Sequence, residues 1–176
     1  MVRSTYRPRN EAVVLFDITP CQRKTPTCRE ISKYTGMTVG ELNKYMKNGM
    51  SIRNIGCYIL PMDTPIQTYK DLLKKHEILK GEIWLDYEDY KVSNYGRVIN
   101  RKGVFVLPYL NRGVMVVKIH TIRHHLHTIV YRLFIGEIED GYCVVHKNLN
   151  NRDCGADNLT TVPENKRIYH YPQTGR

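Results

Sequence analysis

The chain has 176 residues, 41% of them hydrophobic, which is enough for a packed core and excludes wholesale disorder. A formal net charge of +10 points to polyanionic partners, nucleic acid ahead of an anionic membrane surface. Five cysteines without a Cys-x-x-Cys pair argue against a disulfide framework, and no apolar run reaches membrane-spanning length, so a soluble cytoplasmic protein is expected.

Residues 1–11 are polar and basic and read as a loose arm. Residues 12–18 (AVVLFDI) have the β-branched and aromatic character of a strand, and 19–27, with two prolines, read as a turn region. A short helix follows from Cys28, with Ile31 and Tyr34 at helical spacing and Gly36 as its stop. Thr38 is placed to cap a second helix, with Glu41 three residues on as its capping-box partner. Val39, Leu42, Tyr45 and Met46 form the apolar stripe of that helix, and Asn48-Gly49 ends it. Two short helices joined across a glycine are the signature of a helix-turn-helix. Asn43, Lys44, Lys47 and Arg53 are its candidate DNA contacts, since such a helix can lie in the major groove. Residues 1–80 carry 14 Lys/Arg against 7 Asp/Glu, the more basic half of the chain. Residues 55–60 read as a closing strand, 61–67 as a proline-containing linker, and 68–79 as a short basic helix.

From Gly81 the texture becomes that of a small antiparallel sheet, with strands expected over 90–96, 97–103, 104–110 and 114–122. A helix is expected over 127–136, where Ile129, Val130, Leu133 and Phe134 share a face. His120, His124, His125 and His127 fall within eight positions. No Cys or carboxylate stands at a supporting distance along the chain, and strand alternation sends His124 and His125 to opposite faces, so no zinc site is expected there. His146 then closes a β-like run, a loop rich in Asn and Asp follows, and two further asparagines stand at 158 and 165.

Tyr90, Val92, Ser93, Asn94, Gly96, Arg97 and Val98 form a pattern that resembles the nuclease-associated modular domain found in front of phage HNH endonucleases. With the segment that follows, the resemblance covers about residues 81–167. The basic helix pair at the N-terminus is similar to small DNA-binding modules appended to phage and intron homing nucleases. The resemblance implies that Asn94 and Arg97 contact DNA. It implies catalytic roles for His146, as the base that activates water, and for Asn158, which holds the finger loop and orients His146. Asn165 would be a metal ligand, with Mg²⁺ or Mn²⁺ as the cofactor of a catalytic form and none otherwise. The chemistry suits those residue types: a neutral imidazole takes a proton near pH 7, and a hard cation selects oxygen ligands. His127 matches a histidine that precedes the family's helix and is expected to pack or to support the site.

The finger also departs from the family pattern. Val145 stands where the family has an Asn or Asp ligand. Asn148 and Leu149 replace the Asp and Gly of a His-x-Asp-Gly-Asn loop, and Leu149 resists the positive φ that Gly allows. The stretch from Asn158 to Asn165 is about two residues shorter than the family pattern. Asp153 is a substitute ligand that the spacing does not require.

The fold expected is α+β, with a strand-flanked helix-turn-helix-like module over 1–60, a linker with a basic helix over 61–80, and a small sheet plus ββα-metal finger over 81–176. Two functions compete. One is a metal-dependent HNH endonuclease of phage or mobile-element character that nicks or cuts double-stranded DNA in a bacterial cytoplasm. The other is a non-catalytic DNA- or nucleoprotein-binding protein on a degenerate HNH scaffold, such as a regulator or an inhibitor of a host CRISPR-type defence, whose partner is a host nucleoprotein complex.

Overall fold

A computed structural model of the protein describes residues 12–18, 22–52, 56–76 and 79–167. The expected arm over 1–11, the DNA-contact candidate Arg53 and the chain beyond Arg167 lie outside the described residues. Backbone contacts divide the chain into two units between Tyr69 and Lys70.

The first unit is an antiparallel sheet with two helices. Its elements are β1 (Val14–Asp17), β2 (Gln22–Lys24), α1 (Cys28–Thr35), α2 (Val39–Asn48), β3 (Ser51–Ile52) and β4 (Cys57–Leu60), with strand order β2-β1-β4-β3. Both helices start on capping boxes, Thr27 with Glu30 and Thr38 with Glu41, each satisfying amides that a helix start leaves orphaned. Leu42 from the expected stripe is fully buried. Val39, Tyr45 and Met46 pack around a core of Val13, Cys28, Ile31, Leu42, Ile52 and Ile59. The region read as a turn over 19–27 contains β2. Its Gln-Arg-Lys sequence has no apolar alternation to announce a strand, as befits an edge.

The division between the units falls inside α3 (Ile66–Lys75), which begins two residues before the expected helix and ends four residues before it. In the second unit, β5 (Trp84–Tyr87), β6 (Tyr90–Ser93), β7 (Val98–Ile99) and β8 (Phe105–Val106) form an antiparallel meander. A second sheet holds β9 (Tyr109–Asn111), β10 (Val114–Ile119) and β11 (Ile122–His125) in the order β11-β10-β9. The single sheet expected is thus two. Leu107-Pro108 interrupts the run read as one strand over 104–110, because proline cannot donate to a ladder. The run over 114–122 breaks at His120, whose φ of 53° makes the turn into β11.

Helix α4 (Leu126–Phe134) follows, and β12 (Tyr142–His146) pairs with β13 (Leu159–Pro163) as a two-stranded hairpin. One core ties these parts together, with Val92 and Val98 of the meander, Val117 and Ile119 of β10, Ile129 and Val130 of α4, and Val144, Cys154 and Leu159 of the hairpin region. The finger therefore rests on the two sheets and α4.

Candidate active site

The turn Ser93–Arg97 positions the finger from below. The Ser93 hydroxyl accepts from the amides of Tyr95 and Arg97 at 3.3 and 3.1 Å. Gly96 holds φ at 78°, and a Cβ there would stand 3.3 Å from both Cβ and the carbonyl oxygen of Cys154. Only a residue without a side chain lets this turn lie so close to the finger loop. The Asn94 carbonyl accepts from the Ala156 amide at 2.8 Å, a direct bond to that loop.

Two candidate DNA contacts lie in this turn, and both side chains bond within the protein, Asn94 half-buried and Arg97 fully buried. Asn94 accepts from the Ile83 amide at 2.8 Å and donates to the Gly81 carbonyl at 3.1 Å. Arg97 is 0% exposed, with Nε 2.8 Å from Glu82 Oε1 and Nη1 donating to the His76 carbonyl at 2.7 Å. Its guanidinium also lies 4.8 Å from the Phe105 ring centroid and 5.5 Å from that of Trp84. Burial raises the Glu82 carboxyl above its ordinary range, against the opposing pull of Ser93 and Arg97. The expectation that Arg97 reaches DNA is corrected here, because a guanidinium enclosed by a carboxylate and two rings has no face left for a phosphate.

His146 ends β12, paired with Leu159 of β13. It is 1% exposed, and Nε2 lies 3.8 Å from Cys154 Sγ. The His127 ring packs edge-on against it at 5.3 Å between centroids. Desolvation lowers His146 to about 4, against a smaller pull from the Asp153 carboxylate, and lowers His127 to about 3. Burial pushes the Cys154 thiol up to about 12. Near pH 7 the centre is therefore uncharged, two neutral imidazoles and a thiol. Cys154 was missed in the sequence, where its only legible property was the absence of a disulfide partner pattern.

Asn158 clamps the loop that follows His146. Its amide oxygen accepts from the Asn148 amide at 3.1 Å, and its Nδ2 donates to Asn148 Oδ1 at 3.0 Å and to the Asp153 carbonyl at 2.8 Å. The Asn158 carbonyl accepts from the Lys147 amide at 2.8 Å. Asn151 donates to the Gly113 carbonyl, tying the loop to the turn between β9 and β10. Leu149 adopts φ of 59°, the left-handed conformation its side chain was expected to resist. The loop keeps a glycine-type backbone without the glycine, at a strain of about 1–2 kcal/mol.

The finger offers few donors to a hard cation. Val145 is 0% exposed, opposite Thr160, and has no donor atom. Asn165 is exposed and begins from the end of the hairpin where Pro163 pairs with Tyr142, the end away from His146. The Asp153 carboxylate already accepts from the Asn148 side chain at 2.9 Å and the Gly155 amide at 3.3 Å. Among the described residues, no three His, Cys, Asp or Glu ligand atoms converge in the finger. These residues fit a cation such as Mg²⁺ only if phosphate oxygens and water supply most of its shell. The ligand atoms of Glu88, Asp89 and His120 do converge, all within 4.8 Å of one another, with His120 Nε2 2.9 Å from Asp89 and 3.4 Å from Glu88. They come from turns of two different hairpins, so no spacing along the chain announced them. This set contains none of the finger's candidates.

In the first unit, Lys44 and Lys47 are exposed on α2, whereas Asn43 is half-buried with Oδ1 shut away from solvent and without a hydrogen-bond partner.

The site is thus a two-stranded hairpin whose first strand ends in a histidine, with the loop between the strands clamped by an asparagine twelve positions later. Residues 124–167 match the family model of HNH endonucleases. One solved structure with similarity to the chain is that of the HNH homing endonuclease I-HmuI, described for DNA binding and cleavage. It is 23% identical with a TM-score of 0.45, and the match spans 49% of this chain and 56% of that chain. No curated protein sequence matches. Among the described residues, no helix is long and apolar enough to cross a membrane.

Proposed function

We propose that the chain is a DNA endonuclease of the HNH type, acting on double-stranded DNA with Mg²⁺ or Mn²⁺, of phage or mobile-element character. The observation that carries this reading is the family match over 124–167 together with a neutral His146 at the strand end and Asn158 clamping the loop beside it. In this reading His146 accepts a proton from water as the water attacks the scissile phosphate. Asn158 keeps the loop backbone fixed so that the imidazole is not carried off by loop motion. A divalent cation, when bound, neutralises charge on the phosphate and the leaving oxygen. Because His146 is 1% exposed with Nε2 against Cys154, the reading requires the Cys154 side chain to move aside when DNA binds, with the Asn158 clamp on Lys147 and Asn148 kept. Lys44 and Lys47 supply phosphate contacts from a DNA-binding helix pair, and the turn Ser93–Arg97 acts as the brace of the finger.

Two observations favour a second reading, a non-catalytic binder of DNA or of a host nucleoprotein on a degenerate HNH scaffold. Val145 offers no ligand, and His146 is closed off from solvent. Incubation of the protein with supercoiled plasmid and Mg²⁺ or Mn²⁺ separates the two. The endonuclease reading expects metal-dependent nicking that EDTA stops and His146→Ala abolishes, with DNA affinity kept. Intact plasmid alongside salt-sensitive binding would move the assignment to the binder.

A further inference from the structure

A cavity of about 260 Å³ opens between β11 and the exposed face of α4. Arg123, His124 and His125 of β11 and Thr128 and Arg132 of α4 border it, with Tyr87 across. Thr128 and Arg132 stand four residues apart and so share one helix face. No carboxylate lines the cavity. Arg123 and Arg132 have no ion-pair partner recorded among the described residues, unlike Arg97 with its buried Glu82. Both guanidiniums are exposed and permanently charged, and their planar forks suit phosphate oxygens. The Tyr87 hydroxyl lies 3.5 Å from His124 Nδ1. When it donates there, the imidazole proton sits on Nε2 and is available to an anion.

The cavity adjoins the finger through a row of imidazoles. The His125 ring stacks on His127 at 5.6 Å and 24°, and His127 packs edge-on against His146. A group seated between Arg123 and Arg132 is thus two ring contacts from the candidate base.

We propose that this cavity is a backbone-phosphate seat for duplex DNA, with Arg123 and Arg132 as its charged clamps and His124 as a further hydrogen-bond donor. This deepens, and rests on, the reading of the finger as a DNA-cleaving site. The seat fixes where the strand runs relative to His146, which the finger alone does not do, since the side chains of Asn148, Asn151 and Asn158 are already bonded within the protein.

The test uses the full chain and a fluorescently labelled 20-bp duplex, with anisotropy titrations from 50 to 200 mM salt. The double variant Arg123→Ala/Arg132→Ala removes two exposed side chains, so the fold is expected to persist, and circular dichroism checks this. Two lost phosphate contacts reduce the slope of log affinity against log salt by roughly 2. Affinity at 50 mM salt is expected to fall by roughly tenfold or more. The matched variant Lys74→Ala/Lys75→Ala, which loses the same charge on α3, is expected to retain most of the wild-type slope. A wild-type slope and affinity in the arginine variant would overturn the proposal, as would an equal fall in the lysine variant, which would show bulk charge rather than a seat. If the arginine variant binds normally while the wild-type protein still nicks plasmid, the seat is wrong and the endonuclease reading stands. If the wild-type protein neither binds nor nicks DNA, both fall.

Discussion

The turn Ser93–Arg97 and the loop from His146 to Asn158 are both connections in which an asparagine side chain bonds nearby backbone. Asn94 holds Gly81 and Ile83 in the first, and Asn158 holds Asn148 and Asp153 in the second. They differ in how they bury an ionisable group. The turn buries Arg97 with a carboxylate at 2.8 Å and a carbonyl at 2.7 Å, so its charge is paired. The loop buries His146 beside a thiol and another imidazole, so desolvation prevails and the group is held neutral. Burial with a counter-charge makes a brace, and burial without an adequate one makes a base that is uncharged at neutral pH. The backbones differ in the same sense: Gly96 accepts its positive φ freely, whereas Leu149 holds one under strain.

The largest blow to this contrast comes from putting an unpaired charge into the finger. Val145→Asp, which puts a carboxylate next to His146 in the chain, buries it where exposure is 0%. It should cost ~3 kcal/mol or more in urea unfolding, unless a metal ion compensates. A stability near wild type without metal would mean that the strand is open at that position. On the turn's side, Arg97→Ala leaves Glu82 buried without its partner and is expected to cost about 3–5 kcal/mol. A cost under about 1 kcal/mol with a uniform loss of DNA affinity would return Arg97 to the DNA surface.

Gly96→Ala should destabilise by about 1–3 kcal/mol, combining the left-handed penalty with the contact against Cys154. Because the clash falls on the finger loop, amide exchange should rise at Asp153–Ala156 more than in the first unit. Equal exchange in both would separate the turn from the finger. The smallest effect is Leu149→Gly. Relief of strain is partly offset by the greater freedom of glycine in the unfolded chain, for a net gain under about 1 kcal/mol. A loss of stability would show that Leu149 earns its place by packing.

Local chemistry was the most legible part of the sequence. The capping boxes at Thr27 and Thr38 obey short rules, and the second was read directly from Thr38 and Glu41. The roles of His146 and Asn158 were implied by the resemblance to HNH endonucleases and not by spacing alone; the structure puts the two residues at the two ends of one hairpin loop. Arg97 could not be placed, since an arginine in a turn looks the same whether it faces solvent or an aromatic cage assembled from Trp84 and Phe105. Nor could Cys154, whose position against His146 depends on how the loop folds back. The Glu88, Asp89 and His120 grouping joins turns some thirty residues apart, and the cavity beside α4 arises where strand and helix meet. In both cases position depends on tertiary packing that periodicity does not encode.

The most direct measurement is the pH titration of His146 by NMR of the imidazole resonances, in the intact protein. The expected midpoints are near 4 for His146 and near 3 for His127, both below the ordinary 6.5. Lowered values mean that the unfolded chain binds more protons in this window. Their contribution to stability is therefore fully present above about pH 6.5 and is lost as pH falls toward 4. An ordinary midpoint near 6.5 for His146, with no acid loss of stability attributable to it, would contradict the closed, neutral centre on which the account rests.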